Sequence, residues 1–181
     1  MKIEYTPIGI IHSPHTTPAG MPIQAAGAKG IKGTVEIFDS FAPGLKDLDG
    51  FSHIILLYYF HRSNGYKLEI VPFLDDKPHG VFATRAPKRP NPIGLSIVKL
   101  NKMENGILYI ENVDVIDNTP LIDIKPYVPD FDAQTDVRTG WLEDVKKCTL
   151  KKKLMICSAN NIDQSALLFH KLINKKYING L

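Results

Sequence analysis

The chain has 181 residues, a net charge of +3, an apolar fraction of 44% and a charged fraction of 23%. That length suits one domain, or one domain with a small appendage, and such a chain can bury a real core. No apolar run reaches the roughly 20 residues that cross a bilayer, and the start MKIEYTPIG has no apolar signal-like region. A membrane partner is therefore not expected and a cytoplasmic location is. The mild positive charge permits a nucleic-acid partner without demanding one. Cys148 and Cys157 have no metal-ligand spacing and are expected to stay reduced, so no metal is expected.

The elements read mostly as β. Residues 8–11 are expected to form a strand that runs into the His12–Pro14 turn. Residues 15–30 are rich in Thr, Pro, Ala and Gly and read as a long loop, a kind that is usually functional or mobile. Residues 32–38 alternate, with Val35 and Ile37 on one face. Residues 42–48 fit one short helix with Leu45 and Leu48 inward. Residues 51–60 form an apolar run that fits a strand buried on both faces. Short strands are expected over 68–71 and 81–83. Strands over 95–103 and 107–116 flank Asn105-Gly106, a strong hairpin signal. A last strand over 121–124 ends at Pro126.

After Pro129 the texture changes. Residues 130–138 read as a polar linker. Lys146, Lys147, Lys151, Lys152 and Lys153 crowd a short segment, and residues 162–178 have the apolar spacing of an amphipathic helix. The expected architecture is mainly β: a barrel-like core over residues 1–130 and a small basic α/β extension over 131–181. Periodicity alone does not separate a barrel from a sandwich.

The densest chemistry lies in GVFATRAPKRPNPIGLS, residues 80–96, which holds three prolines, two arginines and a lysine in 17 residues. Pro87, Pro90 and Pro92 exclude a central strand or a helix interior and stiffen the segment. A stiff loop carrying Arg85, Lys88 and Arg89 can hold an anionic or carboxylate-bearing ligand with little further loss of entropy. Arg85 can pair bidentately with a carboxylate, and Arg89 or Lys88 can serve an RNA phosphate. Asn91, between two prolines, can read an adenine edge or satisfy the turn. His61 and Arg62 end a buried strand. Asp123 sits among apolar neighbours, where a buried carboxylate needs a partner: a ligand, Lys125 or an arginine. Tyr127 can stack on a base or pack on the barrel end. There is no P-loop, no dinucleotide-binding glycine fingerprint and no zinc spacing.

The segment VFATRAPKRPNPIGLS resembles the signature of the TrmO family of S-adenosylmethionine-dependent tRNA methyltransferases. IEYTPIGIIHSPH (3–15), MPIQ (21–24), GLKDLDGFSHIILLYYFHRS (44–63) and DVIDNTPLIDIKPYVP (114–129) match in the family's order. The resemblance implies a closed barrel, S-adenosylmethionine as cofactor, tRNA as partner and methylation of N6-threonylcarbamoyladenosine beside the anticodon. It also implies a homodimer with the site near the subunit interface. Carried over residue by residue, the cofactor contacts fall on Pro22, Ile23, Gln24, His61, Arg62, Arg85, Leu95, Leu121, Ile122, Asp123 and Ile124. Ile23 stands where the family writes arginine, so only backbone contacts are expected there. No catalytic base is implied. Two other readings fit the residues: a non-catalytic module that binds nucleoside or single-stranded RNA, and a small-molecule methyltransferase.

Overall fold

The period-2 pattern closes on itself. In the computed structural model, which describes residues 2–22, 24–143 and 145, six antiparallel strands make a closed barrel. In chain order the strands are β1 (Gly9–His12), β2 (Lys32–Ile37), β3 (His53–Tyr59), β4 (Glu69–Ile70), β5 (His79–Gly80), β6 (Ile93–Glu104), β7 (Ile107–Glu111) and β8 (Thr119–Pro126). Around the barrel the order is β1, β2, β7, β6, β3, β8; β4 and β5 form a separate two-stranded hairpin. Met1–Thr135 make one compact unit.

Alternation decides which side chains face inward. Along β3, Ile54, Leu56 and Tyr58 are buried, and along β6 Gly94, Ser96, Val98 and Leu100 are buried. Ile11, Val35, Leu108, Ile110 and Leu121 complete the core from the other walls. The expectation that residues 51–60 are buried on both faces is corrected: Ile55 and Leu57 are only half-buried and Tyr59 is exposed, because a barrel wall has one inner face. The 42–48 helix is replaced by two 3-10 segments, Asp39–Leu45 and Leu48–Gly50, with Leu45 and Leu48 packed on the core as expected. Residues 81–83 are also a 3-10 turn rather than a strand. Val81 alone is buried there and Phe82 points outward.

The β6–β7 hairpin turns on Asn105 and Gly106, both at positive φ (49° and 77°). Glu104 pairs with Ile107 across them, as a two-residue primed turn requires. β7 stops at Glu111, short of the expected strand over 107–116. Residues 112–118 instead leave the wall, and Val113 and Val115 bury their side chains in the core. A register shift between β3 and β8 inserts Ile122 as an extra residue: Leu57 faces Asp123 while Tyr58 faces Leu121. Beyond β8 the linker holds one helical turn, Pro129–Asp132. The lysine cluster, both cysteines and the 162–178 helix lie outside the described residues. No helix among the described residues is long and apolar enough to cross a membrane.

Candidate functional site

Antiparallel order sends three connections to one rim of the barrel. They are residues 13–31 between β1 and β2, 60–92 between β3 and β6, and 112–118 between β7 and β8. Pro22, Gln24, His61, Arg62, Arg85, Lys88, Arg89 and Asn91 all belong to these connections. The sequence scatters them over some seventy positions, and the barrel returns them to one end.

The rim is cross-braced. Asp117 Oδ1 accepts from the Ser13 backbone N–H at 3.1 Å, and Ser13 Oγ donates to the Val115 carbonyl. The Gly30 N–H donates to Asn112 Oδ1 at 3.0 Å. Arg62 donates to the Thr16 carbonyl at 2.7 Å, which ties the end of β3 to the first connection. These bonds satisfy backbone groups that a long loop would otherwise leave unpaired.

His61 has an assignable tautomer. Thr119 Oγ1 gives its one proton to the Ile116 carbonyl at 2.6 Å. At 3.3 Å from His61 Nδ1 it therefore accepts, so Nδ1 carries the hydrogen and Nε2 keeps a lone pair. Burial, and then the neighbouring Arg62 charge, lower the His61 pKa and favour the neutral ring. Beyond Arg62, Ser63 Oγ is buried with no hydrogen-bond partner among the described residues. A hydroxyl left so is a group a ligand can satisfy.

The Pro-rich loop divides its cations. Arg85 is exposed, and its guanidinium makes no hydrogen bond or ion pair among the described residues; its charge acts on Tyr58 and Asp114. Arg89 donates to the Thr84 carbonyl at 3.1 Å and the Ala86 carbonyl at 3.5 Å, so part of its fork braces the loop. The Lys88 and Asn91 side chains are exposed.

The residues of β8 and β6 sit differently. Leu95 faces outward beside Leu57, whose other neighbour is Asp123, so the three form a row on the outer wall. Asp123 is not buried, contrary to expectation. Its side chain is 42% exposed and pairs with Lys125 at 2.8 Å. Its Oδ1 accepts the Ile124 N–H, and the bulge has turned it outward. Leu121 is fully buried and Ile124 packs on the core, so backbone atoms are what these two residues can offer a ligand. Tyr127 is at the far rim: its N–H donates to the His53 carbonyl and its ring meets His53 edge-on at 6.4 Å. The length of β8, roughly 23 Å at about 3.3 Å per residue, separates it from Asn91 and Arg89. Its packing role is the observed one. Ile23 lies outside the described residues.

Reading the sequence missed a polar group inside the barrel mouth. Ser96 Oγ donates to Asp114 Oδ1 at 2.6 Å, and Tyr58 donates its hydroxyl hydrogen to Ser96 Oγ at 3.0 Å. Burial pushes the Asp114 carboxyl and the Tyr58 phenol up. The available signal was an aspartate between two valines, Val113 and Val115, at the spacing of a buried strand. Among the described residues, no group of His, Cys, Asp and Glu has the geometry to hold a metal ion.

Known proteins resemble this chain in sequence and in fold. The profile of the tRNA-methyltransferase O N-terminal domain matches residues 10–133. A probable S-adenosyl-L-methionine-binding protein of Pyrococcus abyssi is 57% identical over 143 residues, 79% of this chain and 78% of its own. The mouse (Mus musculus) tRNA (adenine(37)-N6)-methyltransferase is 39% identical over 134 residues, 70% of this chain but 31% of its own. The crystal structure of TrmO from Pseudomonas aeruginosa superposes with a TM-score of 0.66 at 38% identity, covering 78% of this chain and 63% of that one. This chain thus spans less than two thirds of the TrmO chain and about a third of the mouse enzyme. With the family's domain matched across the whole barrel, this chain belongs to the TrmO family.

Proposed function

We propose that this protein is an S-adenosylmethionine-dependent tRNA methyltransferase that modifies N6 of threonylcarbamoyladenosine next to the anticodon. The observation that carries the reading is the shared rim: Pro22 and Gln24, His61, Arg62 and Ser63, and the Pro-rich loop up to Pro92 all lie in connections at that end of the barrel. The reading is supported by relatives named for S-adenosylmethionine binding and for tRNA adenine-N6 methylation.

The residues fit the cofactor chemically. Arg85 offers an unused planar fork to a carboxylate. Ser63 Oγ offers an unsatisfied hydroxyl, and Leu57 and Leu95 offer an apolar wall beside the rim. The backbone of the bulge at Ile122 offers polar atoms outside the regular ladder. When bound, S-adenosylmethionine supplies an electrophilic methyl group. The protein's own share is positioning, which for a displacement supplies most of the catalysis. A neutral His61 with a lone pair on Nε2 holds a proton acceptor at the rim without adding a cation near the sulfonium. Lys88, Arg89 and Asn91 are the loop's groups for RNA.

The same reading makes residues 1–130 the cofactor-binding barrel and residues 131–181 an extension whose lysines meet tRNA. It places the enzyme in the cytoplasm with its substrate, and makes it a homodimer. The deciding assay is methyl transfer to purified tRNA with and without the threonylcarbamoyl group, read by nucleoside mass spectrometry. Methylated threonylcarbamoyladenosine, formed only from modified tRNA, is expected. Transfer to unmodified adenosine, or no transfer to either, would overturn the substrate.

A further inference from the structure

His61 is pinned twice. Its backbone N–H donates to the Tyr59 carbonyl at 2.8 Å, and the Phe60 N–H before it donates to the Pro92 carbonyl, also at 2.8 Å. The residue is thereby fixed between the end of β3 and the exit of the Pro-rich loop. Its ring is fixed separately. Nδ1–H donates to Thr119 Oγ1 at 3.3 Å, and Thr119 gives its own proton to the Ile116 carbonyl at 2.6 Å. Thr119 is 3% exposed and opens β8, so the oxygen that accepts from the ring belongs to the barrel wall rather than to a loop.

This relay engages one ring nitrogen and leaves the other open. Nε2 has no hydrogen-bond partner among the described residues, and in this tautomer it holds a lone pair. The other histidines at this rim are engaged differently. His12 lies between two carboxylates, with Nε2 3.4 Å from Glu36 and Nδ1 3.4 Å from Asp117. His15 bonds the Val113 carbonyl through Nε2 at 3.2 Å, which leaves it Nδ1, the nitrogen nearer its own main chain.

Methylation of a carbamoylated adenine amine has a use for such a group. N6 lies between a purine and a carbonyl and is weakly basic, so it attacks more readily as its proton leaves. As the N–C bond forms, the electron pair of the broken carbon–sulfur bond stays on sulfur, and the N6 proton passes to Nε2. The imidazolium then returns that proton to water. Burial and the Arg62 charge keep the ring neutral beforehand.

We propose that His61 is the general base of methyl transfer, taking the N6 proton at Nε2, and that Thr119 is the positioning residue that gives it the Nδ1–H tautomer. The base rests on the proposed function; the tautomer does not.

Two measurements on the full chain test it. Imidazole nitrogen NMR without ligand should show His61 with Nδ1 protonated and Nε2 bare in wild type and in Thr119→Ser. Thr119→Val, of nearly the same shape but without the acceptor, should lose that preference. A wild-type ring protonated at Nε2, or a Thr119→Val ring with the wild-type tautomer, overturns the role of Thr119, and the wild-type spectrum judges it even if the valine variant does not fold. Single-turnover transfer to threonylcarbamoylated tRNA, at saturating S-adenosylmethionine and tRNA, should slow about a hundredfold or more in His61→Gln, the range of one general base. Thr119→Val should slow several-fold and Thr119→Ser should restore the rate, which a loss of packing alone would not follow. A His61→Gln rate close to wild type overturns the base, and a hundredfold loss in His15→Gln alone assigns the base to His15 instead. Failure of the wild-type chain to methylate the modified tRNA would refute the proposed function, while the nitrogen spectrum still judged the tautomer.

Discussion

His61 shows how much a single hydroxyl can decide. Thr119 has one proton and gives it to the Ile116 carbonyl, which leaves His61 one tautomer. Burial and Arg62 then hold the ring neutral below the pH at which an ordinary histidine, with a pKa near 6.5, takes its proton. The sign of the pH effect follows. With the folded pKa depressed, the unfolded chain binds more protons in the window between the two values. The contribution to stability is complete above about pH 6.5 and is lost as pH falls through the folded value. His61→Asn is therefore expected to flatten the fall in urea midpoint on acidification below that pH. The check is the difference between wild-type and variant midpoints across pH 5 to 8, so that the other histidines cancel. An identical slope would remove His61 from the acid response.

At the scale of the element, β3 and β6 interlock through a missing side chain. A Cβ built on Gly94 would fall 2.1 Å from the Tyr58 ring and within 2.8 Å of two more of its carbons. The glycine makes room for the tyrosine, and the tyrosine hydroxyl reaches Ser96 because its ring lies across that gap. Gly94→Ala is expected to destabilise the barrel by about 2 kcal/mol or more, since a ring held by Phe60 edge-on at 5.4 Å cannot move aside freely. Adding Tyr58→Leu to that variant should recover part of the loss. Guanidinium unfolding of the single and double variants measures both, and a Gly94→Ala chain as stable as wild type would disprove the interlock.

The strands were legible because alternation and the Asn105-Gly106 turn are local signals. Closure was not: it depends on β1 pairing with β8 across the whole core, and only the family resemblance supplied it. Asp123 was misjudged as buried because a single extra residue at Ile122 reverses which side the chain presents. Asp114 went unnoticed because its partner, Ser96, is distant in sequence. Arg85, His61 and Arg62 stood out because charges abutting stiff or apolar segments are visible locally, whereas their meeting at one rim is a property of topology.

For the whole molecule, the outer wall poses a question that the barrel alone does not answer. Tyr59 is 42% exposed, Leu95 44% and Ile97 39%, and these residues lie together on β3 and β6. On the arm between those strands Tyr66, Leu68, Val71 and Phe82 are also exposed. A monomer rarely leaves so many large apolar side chains open on adjoining segments. A second copy of the chain is the occupant that the proposed homodimer provides, and an isologous contact would bury each residue twice. Ile97 is the informative position, because it lies on this wall two residues beyond Leu95 and outside the cofactor set. Ile97→Glu should place two carboxylates in or beside one interface and drive the protein to monomers, while circular dichroism still reports the barrel. Sedimentation equilibrium of wild type and variant at micromolar concentration reads the outcome. A wild-type monomer, or a variant that remains dimeric with the same dissociation constant, would show that this wall is not the interface. If the monomeric variant also loses S-adenosylmethionine affinity with Arg85 intact, the partner subunit completes the site, as the row from Leu95 through Leu57 to Asp123 on the same wall leads one to expect.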